Sequence, residues 1–231
     1  MRRIARCVWR RVKKVACLTT SGLLSGKMDS PNLMGDRDVE WSWVLSHLDS
    51  GPGRALDLGP GPFPLLSLTA AGRGYDVLAL DIRSLEWPVM ICGVTLVQGD
   101  VLTEVLPSNT FDVIINCSTV EHIGLAGRYQ RSAEVPDGDL KAMHRLYEAC
   151  KPGGIMLLTI PVGRDAIFAP LHRVYGEGRL PLLLEGWLIN EECFWAKTDS
   201  NRWRVVTREE AVTQPGSDRY YCLGGFVLQK G

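Results

Sequence analysis

The sequence predicts an α/β fold with a doubly wound, mostly parallel sheet of seven strands and a basic helical extension at the N-terminus. From residue 53 onward, short apolar stretches alternate with stretches of helical periodicity, which is typical of parallel strands joined by right-handed crossovers. A turn containing Gly59 and Gly61 follows the first apolar stretch, and an aspartate closes each of the first three. With 231 residues, of which 45% are hydrophobic, the chain can bury one substantial core.

The first 27 residues carry a charge asymmetry that the zero net charge conceals. They hold eight Arg and Lys residues and no acid, which leaves 18 basic against 26 acidic residues in the remainder. Their apolar residues recur at spacings of three and four, so a helix would have an apolar stripe beside a basic face. Three interpretations stay open: a helix on an anionic membrane surface, an organelle-targeting presequence and a solvated tail. Nucleic acid is not an expected partner, because the acidic body would repel its phosphates.

Small and polar residues from 28 to 36 predict a linker, and the folded domain is expected to span residues 37–231. Helical spacing from Val39 to Leu48 predicts its first helix, on which Trp41 and Trp43 are expected to be core or lid residues. The seven cysteines and four histidines are scattered without ligand spacing, so neither a disulfide scaffold nor a metal site is expected. A reducing, cytoplasmic location fits this cysteine usage best, and no apolar run approaches the ~18 residues of a membrane span.

The glycine turn after the strand 55–58 predicts a site for a nucleotide-type cofactor, because backbone without Cβ atoms can approach a ligand closely. Three residues of this loop are prolines, which have no amide N–H to donate: Pro60, Pro62 and Pro64. The loop therefore lacks donors that a pyrophosphate would need, and Asp57 would repel a phosphate. S-adenosylmethionine suits this loop better, because its carboxylate is its only anion and its amino group and sulfonium are cations.

Aspartates close the next two predicted strands, at residues 75–81 and 94–100. Asp81 follows Gly61 by 20 residues, the interval at which such folds place a carboxylate beside the ribose hydroxyls. Asp100 closes the third strand in the same way. A parallel sheet gathers the carboxyl ends of its strands at one edge, so Asp57, Asp81 and Asp100 are expected to lie together.

The loop from Asp57 resembles the first motif of the class I S-adenosylmethionine-dependent methyltransferases, an acidic residue followed by Gly-x-Gly-x-Gly, although Phe63 replaces the third glycine. Lys151-Pro-Gly-Gly154 and the apolar strand 155–162 resemble the same family. The resemblance implies roles for seven cofactor-binding residues. Asp57, Gly59 and Gly61 would hold the methionine end, Asp81 the ribose and Asp100 with Val101 the adenine, and Ser118 would complete the set.

The segment Ser118-Thr-Val-Glu-His-Ile-Gly124 follows the fourth predicted strand and resembles a segment of small-molecule methyltransferases that contains an adjacent Glu-His pair. The resemblance places Glu121 and His122 beside the transferred methyl group as catalytic residues. His122 is the candidate base if the acceptor is a hydroxyl. The alternative is that the pair only starts and packs a helix.

Two later segments are candidates for acceptor binding. The polar insertion 123–136, with Arg128 and Arg131, is either a lid that contacts substrate or a surface loop. His172, Arg173 and Tyr175 are candidates to bind an anionic or sugar acceptor, or else form an exposed turn whose tyrosine packs inward.

The predicted activity is methyl transfer from S-adenosylmethionine to a small molecule or glycan, at oxygen. Several short segments also resemble an uncharacterised methyltransferase-like group with members near bacterial surface-polysaccharide pathways, which implies a sugar acceptor. One alternative is a dinucleotide-dependent oxidoreductase or epimerase, disfavoured by the missing third glycine and the prolines. The other is an inactive methyltransferase-like scaffold at a membrane surface, favoured by Phe63 and the basic N-terminus.

Overall fold

The computed structural model describes residues 30–87, 92–129 and 132–231. The basic extension predicted at residues 1–27 lies outside the described residues, so its three interpretations stay predictions, as does the cytoplasmic location. A compact unit spans Pro31–Gly231, so it includes most of the predicted linker as well as the predicted domain. Asn32 of that linker donates its backbone N–H to Asn201 Oδ1 at 2.9 Å.

The described residues contain five α-helices, one 3-10 turn and ten strands. The helices are α1 (Asp36–His47), α2 (Leu65–Gly72), α3 (Gly138–Ala149), α4 (Arg179–Leu183) and α5 (Arg208–Thr213), and the 3-10 turn is Val120–His122. The strands are β1 (Gly53–Leu58), β2 (Tyr75–Asp81), β3 (Val94–Gln98), β4 (Phe111–Cys117), β5 (Cys150–Val162), β6 (Ala166–Phe168), β7 (His172–Val174), β8 (Trp187–Lys197), β9 (Trp203–Val206) and β10 (Cys222–Lys230). None of the helices in the described part is long and apolar enough to span a membrane.

The main sheet has the order β3-β2-β1-β4-β5-β10-β8-β9, and its first five strands are parallel. β10, β8 and β9 then continue it in antiparallel pairs. The sheet therefore has eight strands rather than the predicted seven. The added strand is β9, whose four mostly exposed residues have too little apolar patterning to predict a strand; it pairs with the end of β8, from Phe194 to Lys197.

The apolar residues of the central strands divide between two cores, one on each face of the sheet. Ile114 packs in one core with α3, and its neighbours Val113 and Ile115 pack in the other with Trp43 of α1 and Ala70 of α2. The residues of β4 form a nearly continuous apolar run because both faces of this strand are covered. Helices on both faces confirm the predicted doubly wound fold.

The order of the strands also determines where a ligand can bind. β1 lies between β2 and β4, and the chain winds outward from it in one direction through β2 and β3 and in the other through β4 and β5. In open α/β sheets, ligands bind beyond the carboxyl ends of the strands at such a point of reversal. The residues that follow β1, β2, β3 and β4 are therefore the ones to consider for a site.

Candidate functional site

A cleft of about 220 Å³ lies at this position. Its lining includes all seven residues that the sequence predicts to bind the cofactor: Asp57, Gly59, Gly61, Asp81, Asp100, Val101 and Ser118. His122 lines the cleft as well, whereas Glu121 is buried behind it with 1% of its surface exposed. The topology therefore brings the predicted residues together, and the role of each one stays a prediction.

The glycine loop has the backbone conformation that its sequence predicts. Gly59 and Gly61 both have φ = 70°, the left-handed region that glycine adopts without strain. A Cβ on Gly59 would lie 2.5 Å from the side chain of Thr119, so the loop and the residue after β4 approach each other too closely for any other residue. Phe63, which stands in place of the third glycine of the motif, is 72% exposed at the mouth of the cleft.

Asp57 is buried and accepts a hydrogen bond of 2.5 Å from the hydroxyl of Ser67. Burial raises the pKa of Asp57 to about 6, and the hydrogen bond from Ser67 opposes this rise. Ser67 lies in the first turn of α2 and was not among the predicted site residues. Its only signal in the sequence is a small polar residue among the leucines that begin this helix.

We expect the affinity for S-adenosylhomocysteine to decrease as the pH falls below about 6, if Asp57 faces the amino group of the ligand. An ionised carboxylate attracts an ammonium group and a protonated one does not, so affinity should fall roughly tenfold per pH unit below the pKa. Calorimetric titrations between pH 5 and pH 8 measure this dependence. In Asp57→Asn the affinity should be lower at pH 7.5 and nearly constant with pH; the same slope in both proteins would contradict the assignment.

The carboxylate of Asp81 is fully occupied by donors of the protein itself. Oδ1 accepts from the backbone N–H and Nε of Arg83, both at 2.9 Å. Oδ2 accepts from Arg83 Nη2 at 2.7 Å and from the N–H of Gly61 at 3.2 Å. A carboxylate offers about four lone-pair positions, so ribose hydroxyls can bind Asp81 only if the side chain of Arg83 moves away.

Asp100 and Val101, the predicted adenine-binding residues, are positioned by hydrogen bonds that involve backbone groups. Asp100 Oδ1 accepts from the N–H of Leu102 at 3.0 Å, which forms a turn after β3. Val101 is 4% exposed, and Arg145 on α3 donates from Nε to its carbonyl at 2.7 Å. The apolar side chain of Val101 is thus fixed at the floor of the cleft, where the sequence predicts a wall for the adenine.

Helix α1 forms a wall of the cleft through Arg37 and Trp41, whereas Trp43 packs in the core; the sequence predicted core or lid positions for the two tryptophans and no role for Arg37. Glu40 is buried and accepts from Arg37 Nη1 at 3.0 Å, from Thr159 Oγ1 at 3.0 Å and from the hydroxyl of Ser118. Burial raises the pKa of Glu40, whereas the Arg37 guanidinium lowers it. The contacts of Glu40 with Ser118 and Thr159 tie α1 to the end of β4 and to β5, and the hydroxyl of Ser118 is engaged with Glu40.

Glu121 and His122 lie in a largely water-free environment. Burial raises the pKa of Glu121 to about 8, and its Oε2 atom has no hydrogen-bond partner among the described residues. Burial also lowers the pKa of His122 to about 3. The Nδ1–H of His122 donates to the carbonyl of Leu171 at 2.5 Å, and its Nε2 lies 3.5 Å from Glu121 Oε1. A neutral imidazole of such low pKa holds a proton poorly and is a weak base.

The segment predicted to bind an anionic or sugar acceptor is buried behind the cleft. Arg173 is 2% exposed and donates to the carbonyl of Ile123 at 2.7 Å, and its Nε lies 3.7 Å from Asp139 Oδ1. Tyr175, which is fully buried, donates its hydroxyl to Asp139 at 3.1 Å. A buried guanidinium has to be compensated by acceptors, and Asp139 and the carbonyl of Ile123 compensate that of Arg173. Through these contacts Arg173 supports the loop after β4 from its buried side. The tyrosine packs inward, as the second prediction has it, but the turn that carries it is buried and not exposed.

Comparison with known proteins agrees with this architecture. The family described as "Caenorhabditis protein of unknown function, DUF268" matches residues 103–211, and no curated protein matches the chain in sequence. An S-adenosylmethionine-dependent methyltransferase from Mesorhizobium loti superposes with a TM-score of 0.58 at 18% identity, covering 84% of this chain and 99% of the other.

Two further solved structures contain S-adenosylhomocysteine. The N-methyltransferase NodS from Bradyrhizobium japonicum WM9 superposes with a TM-score of 0.54 at 14% identity, covering 88% of this chain and 90% of the other. The 1,6-didemethyltoxoflavin-N1-methyltransferase from Burkholderia thailandensis superposes with a TM-score of 0.52 at 17% identity, covering 82% and 76%. At these identities the likeness concerns the fold. The chain therefore has the fold of the class I S-adenosylmethionine-dependent methyltransferases.

Proposed function

We propose that this protein is a methyltransferase that uses S-adenosylmethionine and methylates a small molecule or glycan, at oxygen. The observation that carries the proposal is the cleft itself, which collects Asp57, Asp81 and Asp100 beside the glycine loop. Two structures of the same fold, with methyltransferase in their names, bind S-adenosylhomocysteine. Both names specify nitrogen as the methylated atom, so the oxygen acceptor is argued from this chain's own residues.

The cleft suits a cationic sulfur cofactor for three reasons. The glycine loop leaves open space at Gly61, where an added Cβ would meet only Arg83 Nη2, at 3.4 Å, so a ligand can approach the backbone there. The prolines of the loop offer no N–H groups to a phosphate. The strand-end aspartates bring carboxylate acceptors to the cleft for amino and hydroxyl groups, those of Asp81 once the side chain of Arg83 moves away. When bound, S-adenosylmethionine supplies an electrophilic methyl group, and the protein's part is to orient the acceptor and exclude water.

His122 acts in this proposal by holding the wall of the cleft around it in shape. Its Nδ1–H fixes the carbonyl of Leu171, and its ring packs edge-on against Tyr129 with centroids 5.1 Å apart. We therefore expect the imidazole of His122 to stay neutral between pH 8 and pH 5, where an unperturbed histidine gains a proton. Nitrogen chemical shifts measured by NMR report this state, and the spectrum of His122→Gln identifies the signal. A titration with a midpoint near ~6.5 would restore the general-base role.

The proposal competes with a dinucleotide-dependent enzyme and with an inactive scaffold. Arg83 beside Asp81 gives the first alternative some support, because an arginine there can hold a 2′-phosphate. Calorimetry with S-adenosylhomocysteine, NAD and NADP separates the two cofactor classes. Transfer of a tritiated methyl group from S-adenosylmethionine to pools of glycans and small molecules then separates an enzyme from a scaffold. Binding of NADP without binding of S-adenosylhomocysteine would overturn the proposal.

A further inference from the structure

Besides the predicted cofactor residues, the cleft is lined by a second group of side chains, which we call the acceptor end. The acceptor end consists of Arg37, Trp41, His122, Arg128 and Tyr129. Arg37 and Trp41 come from α1, and the other residues follow β4, which places them beyond the strand end where the transferred methyl is expected. A methyl acceptor has to bind here if the proposed function is correct, and the inference that follows rests on that function.

Arg128 is distinguished from the other two arginines of the cleft by its lack of a carboxylate partner. Arg37 pairs with Glu40 at 3.0 Å, and Arg83 pairs with Asp81 at 2.7 Å. Arg128 forms no ion pair with any acid of the described residues; it donates from Nη1 to the carbonyl of Leu171 at 3.1 Å. Its guanidinium lies over the ring of Tyr129, 4.5 Å from the centroid. One hydrogen bond and one ring contact fix the guanidinium and leave most of its five N–H donors for a ligand.

The groups around Arg128 do not cancel its charge. His122 is neutral, since burial lowers its pKa to about 3. Glu121 is largely protonated at neutral pH, since burial raises its pKa to about 8. Glu40 is already occupied by Arg37 and by two hydroxyl groups. The positive charge of Arg128 is therefore not neutralised by these groups, and none of them is a strong base. Both features favour an acceptor that is already ionised when it binds.

We propose that the methyl acceptor is a small organic carboxylate whose charged group is bound by Arg128. A carboxylate carries one negative charge, which matches the single unpaired guanidinium, and its geometry fits the two parallel N–H groups of arginine. Each carboxylate oxygen keeps a second lone pair when the first accepts from arginine. That lone pair forms the bond to the methyl carbon while the carbon–sulfur bond breaks and its electron pair stays on sulfur. The products are a methyl ester and a neutral thioether, and no proton is transferred.

Binding of small acids to the protein saturated with S-adenosylhomocysteine tests the proposal. The probes are aromatic, aliphatic and sugar carboxylates, including benzoate and glucuronate, each paired with its uncharged amide. Ligand-detected NMR should show at least one carboxylate that binds while its amide does not. Arg128→Gln should weaken that binding by roughly tenfold or more, since a charged hydrogen-bonded pair is lost.

Arg164→Gln is the matched control, because Arg164 is exposed, lies outside the cleft and also donates its side chain to one carbonyl, that of Thr213. It should bind the probes as the unmodified protein does. The proposal is overturned if no carboxylate distinguishes the protein from Arg128→Gln, if the amides bind equally well, or if Arg164→Gln loses the same affinity.

Transfer of a tritiated methyl group to the probes that bind gives a second and independent readout. A methyl ester releases volatile methanol in alkali, whereas an ether or an N-methyl product does not. Alkali-stable label would overturn the carboxylate proposal and leave the methyltransferase function intact. A protein that fails to bind S-adenosylhomocysteine at all, measured before any probe is added, would instead overturn the proposed function.

Discussion

Replacing Gly59 by alanine is expected to lower the free energy of unfolding by about 3 kcal/mol or more, and with it the affinity for S-adenosylhomocysteine. The new Cβ would lie 2.5 Å from both Oγ1 and Cγ2 of Thr119. Thr119 cannot easily turn away, because its hydroxyl donates to the carbonyls of Leu58 at 3.0 Å and Cys117 at 3.2 Å. Either the glycine loop or the end of β4 has to shift, and both line the cleft.

Gly61→Ala separates this clash from backbone strain. Gly61 has the same φ of 70°, but a Cβ there would meet only Arg83 Nη2, at 3.4 Å. The left-handed conformation alone costs an alanine roughly 1–2 kcal/mol, so Gly61→Ala should lose about that much. Denaturant unfolding measures both variants, and calorimetry measures their affinity for the ligand. Equal losses in the two variants would mean that the contact with Thr119 has no energetic importance.

Glu121→Gln is expected to stabilise the protein at alkaline pH and to have little effect at acid pH. Glutamate in an unfolded chain titrates near ~4.3, whereas burial raises the pKa of Glu121 in the folded protein to about 8. As the pH rises between these values, the unfolded state loses its proton first, so the free energy of unfolding falls. The loss is on the order of 4–5 kcal/mol by pH 8, and glutamine, which does not titrate, avoids it.

Melting temperatures at pH 5 and pH 8.5 test this prediction. The difference between Glu121→Gln and the unmodified protein should widen by roughly 8–15 °C over this interval, given ~2–4 °C per kcal/mol for a domain of this size. Glu185→Gln is the control, because Glu185 is exposed and its substitution removes the same charge. If the curves for Glu121→Gln and the unmodified protein run parallel with pH, then Glu121 is ionised in the folded state.

The catalytic interpretation of the Glu-His pair shows where sequence reasoning about this site ends. The resemblance of segment 118–124 to small-molecule methyltransferases placed Glu121 and His122 beside the transferred methyl group, with His122 as the candidate base. Their protonation states depend on burial and on neighbours far away in sequence, such as the carbonyl of Leu171. Burial moves the two pKa values in opposite directions, to about 8 and about 3. The spacing of residues along the chain does not indicate how deeply a side chain is buried or which distant groups it contacts.

Arg83 illustrates the same limit for cofactor binding. The interval from Gly61 to Asp81 correctly predicted that Asp81 would lie in the cleft, because a βαβ unit fixes that distance along the chain. It did not predict that Arg83, two residues later, would occupy the carboxylate with three of its own N–H groups. Whether a predicted acceptor is free to bind a ligand depends on side-chain packing, which has no periodic signature.

The sequence by itself determined the doubly wound sheet, the glycine turn and the gathering of Asp57, Asp81 and Asp100 in one cleft. It could do so because apolar periodicity sets the order of strands and helices, and a parallel sheet brings strand ends to one edge. Only the tertiary structure decided that α1 closes a side of the cleft through Glu40, that Arg173 is buried and that Arg128 faces the ligand space. These features depend on contacts between residues distant in sequence, where burial and charge are set by the folded neighbours of each side chain.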